Sequence, residues 1–212
     1  MKKTLLILGV AAGVLFASCG QSGETNTVAT DEAGQAAESV TVEKTIDLSA
    51  SSVQWTGRKI LDGMHTGTVA ISQGSIAMNG SAIESGNFVL DMSTLKEKNG
   101  SDEAMTTKLL GHLSSPDFFD VASYPTASFV ITEGGSETIK GNLTIKDVTN
   151  QIEIPVQITE TAEGTSVSST FTINRNDWGV TWGNNSTNRI DFLKDNFIKD
   201  EIEFVVNLVA TK

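Results

Sequence analysis

The chain has 212 residues, with 26 Asp and Glu against 15 Lys and Arg and a formal net charge of −11. That length suffices for one domain with a sizeable core. An acidic chain without a basic run argues against nucleic acid as a partner and against electrostatic binding to a membrane surface. One cysteine excludes an internal disulfide, so the fold must rest on its core alone.

At the N-terminus, Lys2 and Lys3 precede an apolar run of 13 residues, Leu5 to Ala17. As a helix this run spans about 20 Å, short of the roughly 30 Å of a bilayer core, and it reads as the apolar part of a signal peptide over residues 1–18. The run ends in Leu15-Phe16-Ala17-Ser18-Cys19, small residues before a cysteine. This resembles the bacterial lipobox, with Phe16 where an aliphatic residue is usual. The resemblance implies that Cys19 becomes the lipid-modified first residue; the alternative is an ordinary cleavage site with an idle thiol. Removing residues 1–18 takes away two lysines and moves the net charge from −11 to −13. Attachment through Cys19 would make the protein a membrane-anchored lipoprotein of the cell envelope, expected to face the periplasm.

Residues 19–45 are poor in apolar side chains, contain no aromatic residue and are rich in Ser, Thr, Gly, Ala and Glu. Such a segment cannot bury enough surface to offset its ordering entropy, and it reads as a flexible tether. About 26 residues of this kind reach on the order of 30 Å. The alternative is an edge strand around Val40 to Ile46.

Residues 46–212 form the predicted barrel domain. From Ile46 onward the pattern has period two. It predicts strands over 53–60, 65–72, 75–78, 86–92, 127–132, 138–146, 151–159, 166–175, 179–183 and 200–210. Ile152, Ile154, Val156 and Ile158 share one face against Glu153 and Gln157. Ile202, Phe204, Val206 and Leu208 repeat the pattern against Glu201, Glu203 and Asn207. One apolar and one polar face per strand means an antiparallel sheet curved around one interior. Turns are predicted at Asp62-Gly63, Gln73-Gly74, Asn79-Gly80, Gly134-Gly135 and Gly164, with spacings that favour a closed up-and-down barrel. One helix is predicted, capped by Ser101, with Asp102 and Glu103 in its first turn and Pro116 marking its end. Met105, Leu109 and Leu113 lie on one face of it.

Between the helix and the next strand, His112 to Phe129 reads HLSSPDFFDVASYPTASF. Four further blocks stand out: Val53 to Lys59 followed by His65-Thr66-Gly67, then Gly86 to Met92, Gly141 to Thr149, and Phe171 to Val180. In their order and coverage, over residues 53 to 210, these blocks resemble the YceI-like family. The resemblance implies an all-β, antiparallel lipocalin-like β-barrel with one or two short helices, and binding of a polyisoprenoid lipid. In the fourth of these blocks Asp147 replaces the family's usual glycine. Asp tolerates positive φ better than most residues, so the turn is expected to survive.

Exposing an isoprenoid of about 40 carbons to water costs on the order of 30 kcal/mol at roughly 0.8 kcal/mol per CH₂. A carrier must therefore enclose the chain along its length, and it needs no catalytic group. The inward positions fit an apolar wall. Val53 and Trp55 are followed by Val69 and Ile71, then by Phe88 and Leu90, and then by Phe129 and Ile131. Further along come Leu143 and Ile145, Ile152, Ile154 and Val156, Phe171 and Ile173, Trp182, and Phe204, Val206 and Leu208. The alternative is a solid core, which would make the chain a non-carrier interaction or stress module. Leu113, Phe118 and Phe119 form either a mouth or a plug at one barrel end.

Arg175 shares parity with Phe171 and Ile173 and is expected to point inward, paired with Asp177, as a structural ion pair or as an anchor for a polar head. A bulge near Gly179 accounts for the opposite parity of Trp178, Val180 and Trp182. His65 and His112, the two histidines, fit no metal-ligand spacing, and His65 is expected to hydrogen-bond within the first hairpin. No nucleophile elbow, phosphate loop or cysteine nucleophile is present, and no carboxylate pair stands out. An enzyme would require Arg175, Asp177 and His65 to converge in one pocket. The sequence thus calls for no cofactor beyond a bound isoprenoid, such as a quinone tail or polyprenyl chain.

Overall fold

Among the described residues the period-two pattern folds into ten strands and one α-helix. The computed structural model describes residues 40–60, 63–100, 102–162, 164–183 and 198–211. The signal segment, Cys19, Ser101, Asp62 and residues 184–197, with the polar insert Asn184 to Asn188 that the sequence suggests is a loop, lie outside the described residues. In chain order the strands are β1 (Thr41–Thr45), β2 (Ser52–Lys59), β3 (Met64–Asn79) and β4 (Ala82–Glu97). The helix α1 (Glu103–Ser114) follows, then β5 (Thr126–Glu133), β6 (Thr138–Ile145), β7 (Val148–Pro155), β8 (Gln157–Glu160), β9 (Gly164–Asn174) and β10 (Ile198–Thr211).

Every pairing is antiparallel, and the strands run in the order β7-β6-β5-β4-β3-β2-β10-β9-β8. The two ends of this path are consecutive pieces of one stretch of chain. β7 pairs β6 up to Pro155, and β8 pairs β9 from Gln157. The sequence pattern predicts one strand across 151–159. Pro155 has no N–H to extend a ladder, so pairing passes from one neighbour to the other there. At the join, Val156 N donates to Glu137 O at 2.7 Å and Ser169 Oγ donates to Pro155 O at 2.6 Å. The sheet is thereby curled into a lipocalin-like barrel around a single interior.

Four other elements differ from expectation. Thr41–Thr45, read as the end of the tether, is a strand on the far half of β3. It is held beyond its own register by Ile46 N to Gly74 O at 3.1 Å and Asp47 N to Val209 O at 2.8 Å. Gln73-Gly74 is no turn: β3 runs straight through it with a shift of register between Ile71 and Gln73. A side chain at Gly74 would come within 2.8 Å of Ile46 Cγ1, so the glycine there admits β1 rather than reversing the chain. Residues 179–183 form no strand. They follow a 3₁₀ turn, Arg175–Trp178, which Gly179 ends at φ 71°. Helix α1 is capped by Asp102, whose carboxylate accepts from Met105 N at 2.9 Å, and not by Ser101.

The β6–β7 turn keeps its form without glycine. Lys146 and Asp147 have φ of 51° and 59°, both left-handed, and Ile145 pairs directly with Val148. Two central residues at positive φ are what a two-residue type I′ hairpin requires, and Asn-Gly suits it best. Replacing Lys146-Asp147 by Asn-Gly is therefore expected to raise stability by about 1 kcal/mol, read as a higher urea midpoint at unchanged slope.

Candidate functional site

Strand alternation sends one apolar row of β2 to β7, β9 and β10 into the barrel. Paired positions build continuous aromatic and aliphatic bands across the wall. Phe88 on β4 pairs Phe129 on β5, which pairs Leu143 on β6. On the other side Trp55 on β2 pairs Phe204 on β10, which pairs Phe171 on β9. The rings of Phe171 and Phe204 stack at 5.5 Å. Trp55 lies over Gly67, its partner on β3, where an added Cβ would fall 2.3 Å from the indole.

These bands do not meet in the middle. They enclose a cavity of about 770 Å³, within the roughly 300–1,000 Å³ typical of small-molecule sites. The solid-core alternative is thus corrected: the interior is hollow. All the inward positions named from the sequence line it except Ile173, which is buried outside the cavity wall. The wall also includes Met92, Ile139, Val167 and Ile202, which share parity with the inward residues of their strands, and Ile83, which lies beyond the register shift between Ala77 and Met78.

Part of one end is closed by the second half of α1 and the loop after it. Phe118 is 5% exposed and meets Phe119 and His112 edge-on at 5.1 and 5.6 Å. His112 also meets Trp182 at 4.3 Å, and its Nε2 is buried with no hydrogen-bond partner among the described residues. Backbone bonds pin the loop: Phe119 N to Leu113 O at 3.1 Å and Tyr124 N to Asp120 O at 2.8 Å. Phe118 and Phe119 therefore plug this part of the barrel while their inner faces line the cavity with Leu113.

Residues 44–210 match the YceI-like domain. The chain belongs to the YceI-like family. Solved structures of low identity share the fold. BcnA of Burkholderia cenocepacia is 19% identical with a TM-score of 0.62, covering 78% of this chain and 99% of its own. A polyisoprenoid binding domain from Saccharophagus degradans implicated in plant cell wall breakdown is 14% identical with a TM-score of 0.54, covering 79% and 97%. The YceI protein of Campylobacter jejuni is 18% identical with a TM-score of 0.50, covering 68% and 84%. No curated protein sequence matches the chain.

In this YceI-like barrel the Phe171 to Val180 block forms the end of β9 and the 3₁₀ turn. Arg175 is 1% exposed and lines the cavity end. Its partner is Asp200, at 3.3 Å, and not Asp177, which is exposed. The turn rotates the chain after Arg175, so strand parity no longer holds at 177. Arg175 also donates to three carbonyls: Val180 O at 2.5 Å, Lys199 O at 3.2 Å and Ile198 O at 3.5 Å. Burial pushes its pKa down, and the Asp200 carboxylate opposes that shift. Protein acceptors thus surround the guanidinium, which ties β9 to the start of β10. Trp178, buried beside it, donates from Nε1 to Leu143 O at 2.9 Å and fixes the turn to β6.

The opposite part of the same end reaches solvent. Arg58, Met64, Asn99, Met105, Lys108 and Lys199 line the cavity and are exposed. The mouth lies between the β2–β3 hairpin, the end of β4 and the first half of α1. His65 does not bond within its hairpin; its Nδ1 contacts Glu97 Oε1 on β4 at 2.6 Å. Glu97 also accepts from Thr106 Oγ1 on α1 at 2.8 Å, and so ties the helix to the rim. Arg175 and His65 both reach the cavity wall, but Asp177 does not, so the triad an enzyme would need is not assembled. Among the described residues no group of His, Cys, Asp and Glu is arranged to hold a metal, and no helix is long and apolar enough to cross a membrane.

Truncating Arg175 strands a carboxylate and three carbonyls. Arg175→Ala is expected to cost about 3–5 kcal/mol in urea unfolding. Arg175→Lys, which keeps the charge but not the planar fork, should lose a smaller part of that stability.

Proposed function

We propose that this chain binds a long isoprenoid lipid, such as a quinone tail or polyprenyl chain, in its barrel and serves as an envelope carrier or store. The observation that carries this reading is the cavity itself. A wall built from paired aromatic and aliphatic rows encloses about 770 Å³ that no side chain among the described residues fills. An empty apolar cavity forfeits dispersion contacts and destabilises a fold, whereas an apolar chain sheds its hydration cost there. The binding named for the Saccharophagus degradans domain of the same fold supports the choice of lipid class. Binding of this kind asks for enclosure and not for acid, base or nucleophile.

The proposal includes an anchor. Acylation of Cys19 would hold the barrel at a membrane of the envelope on the periplasmic side, supported by the charged, apolar and small-residue succession of residues 2–19.

Organic extraction of the purified native protein, followed by mass spectrometry, should yield a long-chain isoprenoid. Extracts without one, together with no uptake of a polyprenol probe by the delipidated protein, would sink the reading. Val206→Trp, opposite Val53 and Ser169 in the wall, should reduce uptake of an apolar dye about tenfold, while costing no more than about 1–3 kcal/mol of stability. Cys19→Ser should move the protein from the membrane fraction to the soluble fraction after cell lysis.

A further inference from the structure

The mouth of the cavity carries a charge opposite to that of the chain. Asp and Glu outnumber Lys and Arg by 26 to 15 in the sequence, yet four cations line the mouth: Arg58, Lys59, Lys108 and Lys199. Arg58 and Lys59 are neighbours in sequence, and Lys108 and Lys199 reach the same mouth from distant elements. Lys59 pairs with Ile198, the neighbour of Lys199, and Arg58 pairs with Met64. Lys108 shares a face of α1 with Met105 and His112, which also line the cavity, so its exposed side chain stands at the rim.

The carboxylate that lines the same cavity among the described residues is Glu97, and it is already engaged. Its side chain is 3% exposed and accepts from His65 Nδ1 and Thr106 Oγ1. None of the four cations has a carboxylate within ion-pair distance among the described residues. Arg58 instead meets Met64 Sδ at 3.2 Å. Arg175, the deeper cation, is filled by protein acceptors. Below the rim the wall is apolar, and a charge cannot enter it without large desolvation cost. An anionic group on an amphiphile would therefore stop at the mouth, where four cations without an ion pair among the described residues wait, while its tail faces the cavity.

We propose that the mouth is a head-group site for a compact anion, phosphate or carboxylate, so that the preferred ligand is an anionic amphiphile. This rests on the reading of the cavity as a lipid site. The test uses the delipidated protein and competition against a neutral apolar dye. Geranylgeranyl phosphate is compared with geranylgeraniol, and palmitate with hexadecanol, so that each pair shares a tail. At low salt at least one anion should bind at least about tenfold more tightly than its alcohol, with the advantage shrinking as salt screens the rim. In the combined variant Arg58→Gln, Lys59→Gln, Lys108→Gln and Lys199→Gln the advantage of each anion over its own alcohol should fall below about threefold. Alcohols that bind as tightly as the anions, or a preference that survives in the variant, would overturn the head-group site and leave the lipid reading standing. Failure of all four probes to displace the dye would overturn both. Inorganic phosphate alone should not protect the rim; binding as tight as that of the prenyl phosphate would make it a free-anion site and overturn the proposal.

Discussion

The hand-over at Pro155 and Val156 is the constraint on which this barrel depends. One stretch of chain pairs with β6 on one side and, past the proline, with β9 on the other. Two bonds around the join, from Val156 N and from Ser169 Oγ, satisfy groups that a broken ladder would leave open. Without this join the sheet would keep two free edges, and the apolar faces of its strands would be open to water. With it, the apolar faces look at one another across a space that the wall holds open.

A hollow wall needs its end secured by something other than core packing. Here Arg175 does part of that work. Its guanidinium reaches carbonyls on both sides of the β9–β10 connection and the carboxylate of Asp200. Trp178 fastens the same turn to β6. Across the opening, Glu97 joins His65 on β3 to Thr106 on α1. The helix is thus pinned at the rim by one polar cluster and at its C-terminal loop by the aromatic set of His112, Phe118 and Trp182. The barrel end is half plug and half mouth, and the polar clusters mark where one becomes the other.

Much of the wall was legible because strand alternation is local. Phe88 and Leu90, or Phe204 and Val206, face inward whatever their neighbours are. Legibility failed where the backbone leaves the strand. Parity carried Asp177 to the inner face beside Arg175, but a 3₁₀ turn intervenes and Asp200, from a distant strand, takes the place. Gln73-Gly74 carries the residues of a turn and serves as a bulge, because Gly74 is there to admit Ile46. The short strand β1 hides in a segment of tether-like composition, since its pairing with the far half of β3 supplies the stability its side chains do not. Helix capping moved by one residue, from Ser101 to Asp102, which is within the play of any local signal.

By itself the sequence determined the fold class, the family and the inner face of nearly every strand, because period, turn residues and motif order are written along the chain. Tertiary structure alone decided that the interior is hollow. Alternation states which side chains point inward, but the space between them depends on how many strands curl and how tightly, and that is a property of the closed sheet. It also decided the character of the mouth. Arg58, Lys59, Lys108 and Lys199 form no basic run in the sequence; they come together because three elements end at the same rim. Charge that is diluted along an acidic chain becomes local when strand register places its carriers side by side.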